Sequence, residues 1–225
     1  MIQPSALRRV DGRRLLRIAR PSLAWKRGLD LAGAAAGLVA TAPLIAVAAV
    51  AIRTSLGAPI LFRQMRPGHR NEPFELIKLR TMRSPSPGES PEDDEGHRLT
   101  RLGHFLRAAS IDELPSLWNV LRGDMSLVGP RPLLMQYLDL YTPEQARRHD
   151  VKPGLTGWCQ INGRNERDWN EKLALDTWYV DNWSFWLDLR ILLRTPLPVL
   201  RRDGISHVSE STAPLFRGSE RAATR

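Results

Sequence analysis

Cysteine is almost absent from this chain, and histidine is sparse. The single cysteine, Cys159, excludes an intramolecular disulfide and a cysteine-rich zinc site, and it favours a reducing compartment. The five histidines are scattered, with no His-x-x-x-His pair and no cluster with cysteine, which argues against a transition-metal centre. The sequence also lacks a Walker-type glycine-rich loop, a Ser-His-Asp arrangement and a dinucleotide fingerprint.

Negative charge is also in short supply. Lysine and arginine outnumber aspartate and glutamate by 33 to 24, which gives a formal net charge of +9. Such a balance favours anionic partners: nucleic acid, acidic lipid or phosphorylated small molecules. Composition does not choose among these three. Because no recognised nucleic-acid-binding motif is present, we expect no nucleic-acid partner.

Residues 31–52 form an apolar run of 22 residues without a charged side chain. A straight helix of this length would extend about 33 Å, close to the hydrocarbon thickness of a bilayer. Basic residues flank the run on both sides, so the positive-inside tendency places both ends in the cytoplasm. Pro43 removes a backbone donor within the run and predicts a kink. We interpret the run as a re-entrant helix that dips into one leaflet and returns; a single-pass anchor and a buried core helix are the alternatives.

The rest of the chain alternates between extended and helical patterns. Residues 58–83 are typical of extended or mixed structure, whereas residues 84–96, rich in proline, serine and acidic residues, predict a mobile loop. Apolar spacing predicts helices within 99–121, 134–149 and 166–183. The predicted fold class is therefore mixed α/β and mainly helical.

The sequence also predicts two surfaces, one from helical spacing and one from composition. Apolar residues at i, i+3, i+4 and i+7 predict one buried stripe, formed by Leu114, Leu117, Trp118 and Leu121. Residues 178–193 combine aromatic side chains with arginines, a composition that fits a surface resting at lipid headgroups. An ordinary aromatic core is the alternative for that segment.

An adjacent pair of carboxylates, Asp112 and Glu113, is the first candidate for chemistry. Pro115 is tolerated only in the first turn of a helix, so the pair is predicted at a helix N-terminus, where backbone N–H groups favour an anion. One carboxylate would act as a nucleophile on phosphorus, and its neighbour would position a metal ion or the substrate. The alternative is structural, because Ser110-x-x-Glu113 also matches a capping box.

Cationic side chains in segments rich in glycine and proline are the second candidate: Lys78, Arg80, Arg131 and Arg164. Arg131 lies between Pro130 and Pro132, which stiffen the backbone and aim the guanidinium group. A rigid arginine suits bidentate phosphate recognition, so such a cluster would neutralise a diphosphate. Taken singly, each of these residues is more often a solvated surface charge. The turn-rich stretch 153–158 predicts either a functional loop or a simple connection.

Seven short segments carry a further pattern. In chain order they are Lys26-Arg27-x-x-Asp30, Gln64-Met65-Arg66-Pro67-Gly68, Lys78-Leu79-Arg80-Thr81-Met82, Asp112-Glu113-Leu114-Pro115, the run from Gly123 to Pro132, the run from Pro153 to Arg164, and Asp176-x-x-Tyr179. Together they resemble the monotopic phosphoglycosyl transferases, the bacterial sugar transferase family. The run ending in Pro132 is the most specific of them. Members of this family initiate exopolysaccharide, O-antigen or glycoprotein glycan assembly on polyprenyl phosphate.

The resemblance implies a transfer in two steps. Asp112 would attack the sugar-linked phosphate of a UDP-sugar and expel UMP, and polyprenyl (undecaprenyl) phosphate would then accept the phosphosugar. Glu113 would complete a catalytic dyad, and Mg²⁺ at Asp112 would offset the charge of the diphosphate. Pro43 would mark the break of the membrane helix, although Ala42 stands where the family often has serine. The resemblance assigns substrate binding to four residues: Lys78, Arg80, Arg131 and Asp176.

The implied organisation has four parts. Residues 1–25 form a basic interfacial segment, 26–54 the re-entrant (helix-break-helix) membrane helix, 55–200 the catalytic domain with its interfacial amphipathic helices, and 201–225 a disordered tail. We expect a location in the bacterial inner (cytoplasmic) membrane, with the catalytic domain facing the cytoplasm. The implied partners are the bilayer, the two substrates and downstream glycosyltransferases. The alternative function is a catalytically inactive membrane-bound scaffold or regulator of glycan assembly.

Overall fold

The computed structural model of the chain describes residues 20–84, 98–162, 168–196 and 215–218. Apart from their edges, the predicted basic N-terminal segment and the predicted mobile loop lie outside these ranges. Arg164 lies outside them as well.

The long apolar run forms helix α1, Arg20–Ser55, of 36 residues. Within the described part of the chain it is the one helix that is long and apolar enough to cross a membrane. The helix is continuous through Pro43, so the predicted helix-break-helix is not confirmed. A proline removes only one backbone donor, and an apolar helix tolerates this loss where other groups satisfy the freed backbone. Near the proline, the Thr41 hydroxyl donates to the Gly37 carbonyl (2.7 Å), which is not the carbonyl of Val39 that Pro43 leaves without its usual donor.

Helix α1 packs against the globular part of the chain along one face. In its first half Ala34 belongs to the main core, and in its second half Ala48 and Ile52 belong to a second apolar cluster with strand and helix residues of the body. The other face is open, with Val39 and Val47 exposed by 78% and 68%. Both halves of α1 therefore contact the same body.

A β-hairpin follows α1. Strands β1 (Leu61–Pro67) and β2 (Pro73–Leu79) pair antiparallel across a tight turn at His69–Asn71. Phe74 and Leu76 point into the main core, as expected for alternating side chains of a strand with one buried face. The hairpin confirms the extended structure predicted for this segment.

The next segment consists of helix α2 (Arg101–Ala108), a 3₁₀ segment (Ile111–Ser116) and the short helix α3 (Leu117–Arg122). The buried stripe predicted here is partly wrong, because Trp118 is 52% exposed whereas Val120 is fully buried. The 3₁₀ segment winds with about three residues per turn instead of 3.6, and this change rotates the buried face before α3 begins.

Strands β3 (Ser126–Val128) and β4 (Gly154–Thr156) form a second sheet, parallel and two-stranded. Just beyond β3 the two backbones approach so closely that a Cβ atom on Gly154 would lie 2.0 Å from the Gly129 nitrogen. Any side chain at this point would push the strands apart. The glycines therefore fix the path of the chain that leads into Arg131.

The prediction of a single helix in residues 134–149, between β3 and β4, is wrong. The chain instead forms 3₁₀ segments at Met135–Leu140 and Arg147–Asp150, separated by helix α4 (Pro143–Ala146). A proline is disfavoured inside a helix but favoured at its first position. Pro143 accordingly starts a new helix, and Thr142 caps it in a reciprocal capping box.

Three helices complete the body: α5 (Trp158–Ile161), α6 (Trp169–Asn182) and α7 (Phe185–Arg194). Helix α6 confirms the last predicted helix. Residues 178–193 were predicted to form either a surface at the lipid headgroups or an aromatic core. Their side chains differ in exposure, since Tyr179 is buried whereas Trp186 is 74% exposed. This segment therefore contributes both to the core and to an exposed apolar surface.

An anchor cluster of four side chains, Lys26, Tyr179, Trp183 and Asp188, joins the start of α1 to α6 and α7. Lys26 Nζ donates to Asp188 Oδ2 (2.5 Å) and to the Val128 carbonyl (3.0 Å). The Tyr179 hydroxyl donates to Asp188 Oδ1 (2.7 Å), and Trp183 Nε1 donates to Asp188 Oδ2 (3.1 Å). Both oxygens of this buried carboxylate are thus hydrogen-bonded.

Two further polar contacts hold the same end of α1. Asp30 Oδ1 accepts hydrogen bonds from Ser126 Oγ (2.9 Å) and from the Leu127 N–H (2.8 Å). Arg27 donates to the two last-turn carbonyls of α3, each at 2.7 Å, where a positive charge also complements the helix dipole. The first of the seven matched segments is therefore a structural junction.

Candidate active site

The 3₁₀ segment that carries Asp112 and Glu113 leads into side chains that cover the free edge of strand β2. Ser116 Oγ donates to the Ile77 carbonyl (2.7 Å), and Asn119 Oδ1 accepts from the Ile77 N–H (3.1 Å). These buried side chains satisfy the strand edge as a third strand would. Their role was missed in the sequence, because polar residues beside an apolar stripe ordinarily read as exposed.

A site cluster of four charged side chains forms here: Lys78, Asp112, Glu113 and Arg131. Glu113 is its hub, since Oε1 accepts from Lys78 Nζ (2.8 Å) and from Arg131 Nη2 (2.5 Å). Arg131 Nη1 also donates to Glu113 Oε2 (3.3 Å), which makes the contact bidentate. The alternative capping box is absent, because Ser110 adopts a left-handed conformation and its side chain makes no cap hydrogen bond.

Asp112 differs from its neighbour in how its carboxylate is held. It is 7% exposed, and across the described ranges no hydrogen bond to its side chain is present. Burial raises the pKa of Asp112 above its usual range, and the adjacent Glu113 carboxylate adds to this effect. The positive charges of Lys78, Arg107 and Arg131 oppose it. The site therefore contains a desolvated carboxylate with cations around it.

The two cations of the site cluster depend on Glu113. Burial lowers the pKa of Lys78, and the attraction of Glu113 opposes this shift. Burial also acts to lower the pKa of Arg131, but its contacts with Glu113 raise that pKa overall. Two like charges lie side by side because the Glu113 carboxylate contacts both of them. Such an arrangement provides a region of positive charge next to Asp112.

The backbone of Arg131 is held from behind by a buried ion pair. Arg148 Nη2 donates to the Arg131 carbonyl (2.6 Å) and to Asp176 Oδ2 (2.7 Å), and Arg148 Nε donates to the same oxygen (3.1 Å). Arg148 is 2% exposed and Asp176 is 5% exposed. The role of Arg148 was missed in the sequence, because a basic run next to His149 is typical of a solvated surface.

The predicted site residues therefore fall into two groups. Lys78 and Arg131 lie together with the Asp112–Glu113 pair. Arg80 instead donates to the backbone carbonyls of Met82 and Ala58, at 2.9 and 3.0 Å. Asp176 lies behind Arg131 on Arg148, and Pro43 lies within helix α1.

The donor set at the site fits one mode of metal binding. Across the described ranges, no group of three or more His, Cys, Asp or Glu side chains is placed to hold a metal ion. Mg²⁺ commonly binds through one or two carboxylates together with substrate phosphates and water. Asp112 offers such a carboxylate, whereas both oxygens of Glu113 are bound to cations. The residues fit a magnesium ion that binds together with a diphosphate, rather than an all-protein metal cage.

Comparison with known proteins identifies the family of this chain. The family model described as bacterial sugar transferase matches residues 21–202, which include every residue of the site cluster. The chain belongs to the bacterial sugar transferase family. It is thus a transferase by family, and the site cluster lies within the part that the family shares.

Named relatives come from several bacteria. The chain is 52% identical to the uncharacterized sugar transferase EpsL of Bacillus subtilis (strain 168), over 86% of this chain and 96% of the relative. It is 45% identical to the UDP-glucose:undecaprenyl-phosphate glucose-1-phosphate transferase of Caulobacter vibrioides, over 79% of this chain and 70% of the relative. It is 36% identical to the undecaprenyl-phosphate galactose phosphotransferase of Salmonella typhimurium, over 82% of this chain and 42% of the relative.

Proposed function

We propose that this transferase moves a phosphosugar from a UDP-sugar to polyprenyl (undecaprenyl) phosphate and releases UMP. The observation that carries this proposal is the buried Asp112 carboxylate, which accepts no hydrogen bond in the described part of the chain and lies beside Lys78 and Arg131. Relatives named for undecaprenyl-phosphate sugar phosphotransfer support the reaction class. The product would begin the assembly of an exopolysaccharide, O-antigen or other glycoconjugate.

In the first step, an Asp112 oxygen attacks the phosphorus that carries the sugar. A bond forms between this oxygen and phosphorus, and the bond from phosphorus to the bridging oxygen of the diphosphate breaks. The electron pair leaves with UMP, so an aspartyl-phosphosugar remains on the enzyme. A carboxylate that is largely removed from water, as Asp112 is at 7% exposure, is prepared for this attack.

In the second step, an oxygen of polyprenyl phosphate attacks the same phosphorus. The acyl-phosphate bond breaks, Asp112 leaves as a carboxylate, and a polyprenyl diphosphosugar is formed. Neither step requires a proton to be added or removed. Charge stabilisation is therefore the main task of the surrounding side chains.

The other members of the site cluster supply this stabilisation. Lys78 and Arg131 would offset the negative charge that builds on the transferring phosphoryl group, and the planar guanidinium suits two phosphate oxygens at once. Glu113 holds both cations through short contacts. We assign Glu113 the task of keeping them beside Asp112, rather than that of a general base.

We further propose that Mg²⁺ binds at Asp112 together with the diphosphate of the donor. When bound, the ion would offset the negative charge of the two phosphates. Removal of divalent cations with EDTA is expected to abolish UMP release, and added Mg²⁺ is expected to restore it. Full turnover in EDTA would contradict this assignment.

We propose a re-entrant arrangement for α1, with both ends on the cytoplasmic face of the bacterial inner membrane. Both halves of the helix contact the catalytic body, so a straight crossing would carry charged parts of that body into hydrocarbon. The Thr41 back-bond to Gly37 and the proline at position 43 favour a bend. Trp25 and Trp186, exposed by 76% and 74%, suit the headgroup level.

Epitope tags on the two termini test this topology. Protease or antibody access to both tags from the cytoplasmic side alone is expected. Access to the tags from opposite sides would contradict it. With the cytoplasmic orientation, soluble UDP-sugars reach the site, and downstream glycosyltransferases that extend the lipid-linked sugar become the expected partners.

A donor panel tests the reaction itself. The purified chain in detergent is supplied with polyprenyl phosphate, Mg²⁺ and one UDP-sugar at a time, and UMP and lipid product mass are measured. We expect stoichiometric UMP and polyprenyl diphosphosugar with at least one donor. Absence of turnover with every donor would favour the scaffold alternative.

A further inference from the structure

The predicted disordered tail contains a segment, Leu215–Gly218, that packs against the catalytic body. Phe216 is 4% exposed, whereas its neighbour Leu215 is 50% exposed. The segment lies beyond residues 21–202, which the family model matches. The contact therefore involves a segment outside the range that the family model matches.

An aromatic pocket receives the Phe216 ring. The ring packs edge-on against Tyr137, stacks on Tyr141 and lies tilted against Trp169, with centroid distances of 5.6, 5.7 and 5.5 Å. The Phe216 N–H also donates to the Tyr137 hydroxyl (3.2 Å). Ring contacts on three sides together with a backbone hydrogen bond define one seat for this side chain.

A series of side-chain contacts connects this pocket to the site cluster. Tyr141 stacks on Phe216 with its ring, and its hydroxyl accepts from Arg148 Nη1 (3.3 Å). Arg148 in turn donates to the carbonyl of Arg131, whose guanidinium binds Glu113. A continuous series of contacts thus joins the tail to the site cluster.

We propose that Phe216 is an intramolecular positioning residue, which holds Tyr141 and Arg148 so that Arg131 keeps its place in the site. This inference rests on the proposed function, in which Arg131 stabilises the transferring phosphoryl group. Phe216 touches no reacting atom. It acts through Arg131 as a positioning residue.

The kinetic test compares Phe216→Ala in two backgrounds. In the otherwise unchanged chain, kcat/KM for the UDP-sugar is expected to fall roughly tenfold. In an Arg131→Lys background, Phe216→Ala is expected to cause less than about a twofold further loss, because residues that act through one group are not additive. Equal fractional losses in both backgrounds would overturn the proposal, since a merely structural role predicts them. Leu215→Ala is the matched control and is expected to leave kcat/KM unchanged.

Hydrogen exchange of the full chain gives a readout that does not need activity. Phe216→Ala is expected to speed amide exchange in the peptides containing Tyr141, Arg148 and Arg131, whereas Leu215→Ala is not. Unchanged exchange in these peptides would overturn the proposal. Should the unmodified chain lack transferase activity, the proposed function fails, and the exchange experiment still decides whether Phe216 controls the Arg131 segment.

Discussion

The anchor cluster and the site cluster are both buried groups of charged side chains, but they use their carboxylates differently. In the anchor cluster, both oxygens of Asp188 accept hydrogen bonds, from Lys26, Tyr179 and Trp183. In the site cluster, Glu113 is bound in a similar way by two cations, whereas Asp112 accepts no hydrogen bond in the described part of the chain. The Asp188 carboxylate therefore stabilises the structure, whereas the Asp112 carboxylate remains available for a reaction.

This difference has an energetic cost. A buried carboxylate without hydrogen bonds destabilises the fold, because burial disfavours its charged form. The fold retains such a group at Asp112 and compensates it only through the field of nearby cations. Costs of this kind concentrate at functional sites.

Removing the charge of Asp112 is expected to have the largest effect. Asp112→Asn keeps the shape of the side chain but not a nucleophilic oxygen, so UMP release is expected to fall by roughly four orders of magnitude. Asp139→Asn, a change at an exposed carboxylate, serves as the control and is expected to retain full activity. Undiminished turnover of Asp112→Asn would rule out its role as nucleophile.

The same change in the anchor cluster is expected to affect stability instead. Asp188→Asn leaves Lys26 without its buried counter-charge, which is expected to cost about 3–5 kcal/mol of unfolding free energy. Chemical denaturation in detergent measures this loss, and the UMP release per folded molecule is expected to stay close to normal. A selective loss of activity with unchanged stability would show that the two clusters are not functionally distinct.

Loss of the Glu113 charge is expected to have an intermediate effect. Glu113→Gln weakens the contacts that hold Lys78 and Arg131 beside Asp112, so kcat/KM is expected to fall roughly a hundredfold. Initial rates of UMP release measure this change. An unchanged kcat/KM in Glu113→Gln would contradict the assignment of Glu113 as the group that keeps the two cations in place.

The smallest effect concerns stability at Asp112. Because its pKa is raised in the folded chain, this residue favours folding when protonated, and that advantage is lost as the pH rises from the ordinary aspartate pKa through the raised one. At neutral pH, Asp112→Asn is therefore expected to raise the melting temperature by a few degrees. The gain should shrink as the pH falls towards 4, and thermal melts across this range measure it. A destabilised Asp112→Asn at neutral pH would contradict the account.

Several parts of the molecule were predictable from the sequence because local patterns determine them. The long apolar run without charged residues predicts helix α1. The extended pattern of residues 58–83 predicts the hairpin, and the helical spacing of apolar residues predicts α6. The site residues Lys78, Asp112, Glu113 and Arg131 came from short motifs whose spacing is specific to the family. The structure brings these four together from three separate segments.

Other parts depend on tertiary contacts that no local pattern encodes. Arg148 belongs to a basic run that is typical of a surface, and its burial becomes favourable only because Asp176 arrives from helix α6. Trp118 became exposed because a 3₁₀ segment precedes its helix. Phe216 belongs to a short apolar group in a largely polar tail, so only the pocket that receives it shows its role. The re-entrant path of α1 and the magnesium site stay predictions.

Trapping the intermediate tests the central claim most directly. The chain is mixed with a UDP-sugar and Mg²⁺ without polyprenyl phosphate, quenched in acid, digested and examined by peptide mass spectrometry. We predict one equivalent of UMP at most and a phosphosugar attached to the peptide that contains Asp112. An adduct on another residue, or full turnover with polyprenyl phosphate through no enzyme-bound phosphosugar, would contradict the account.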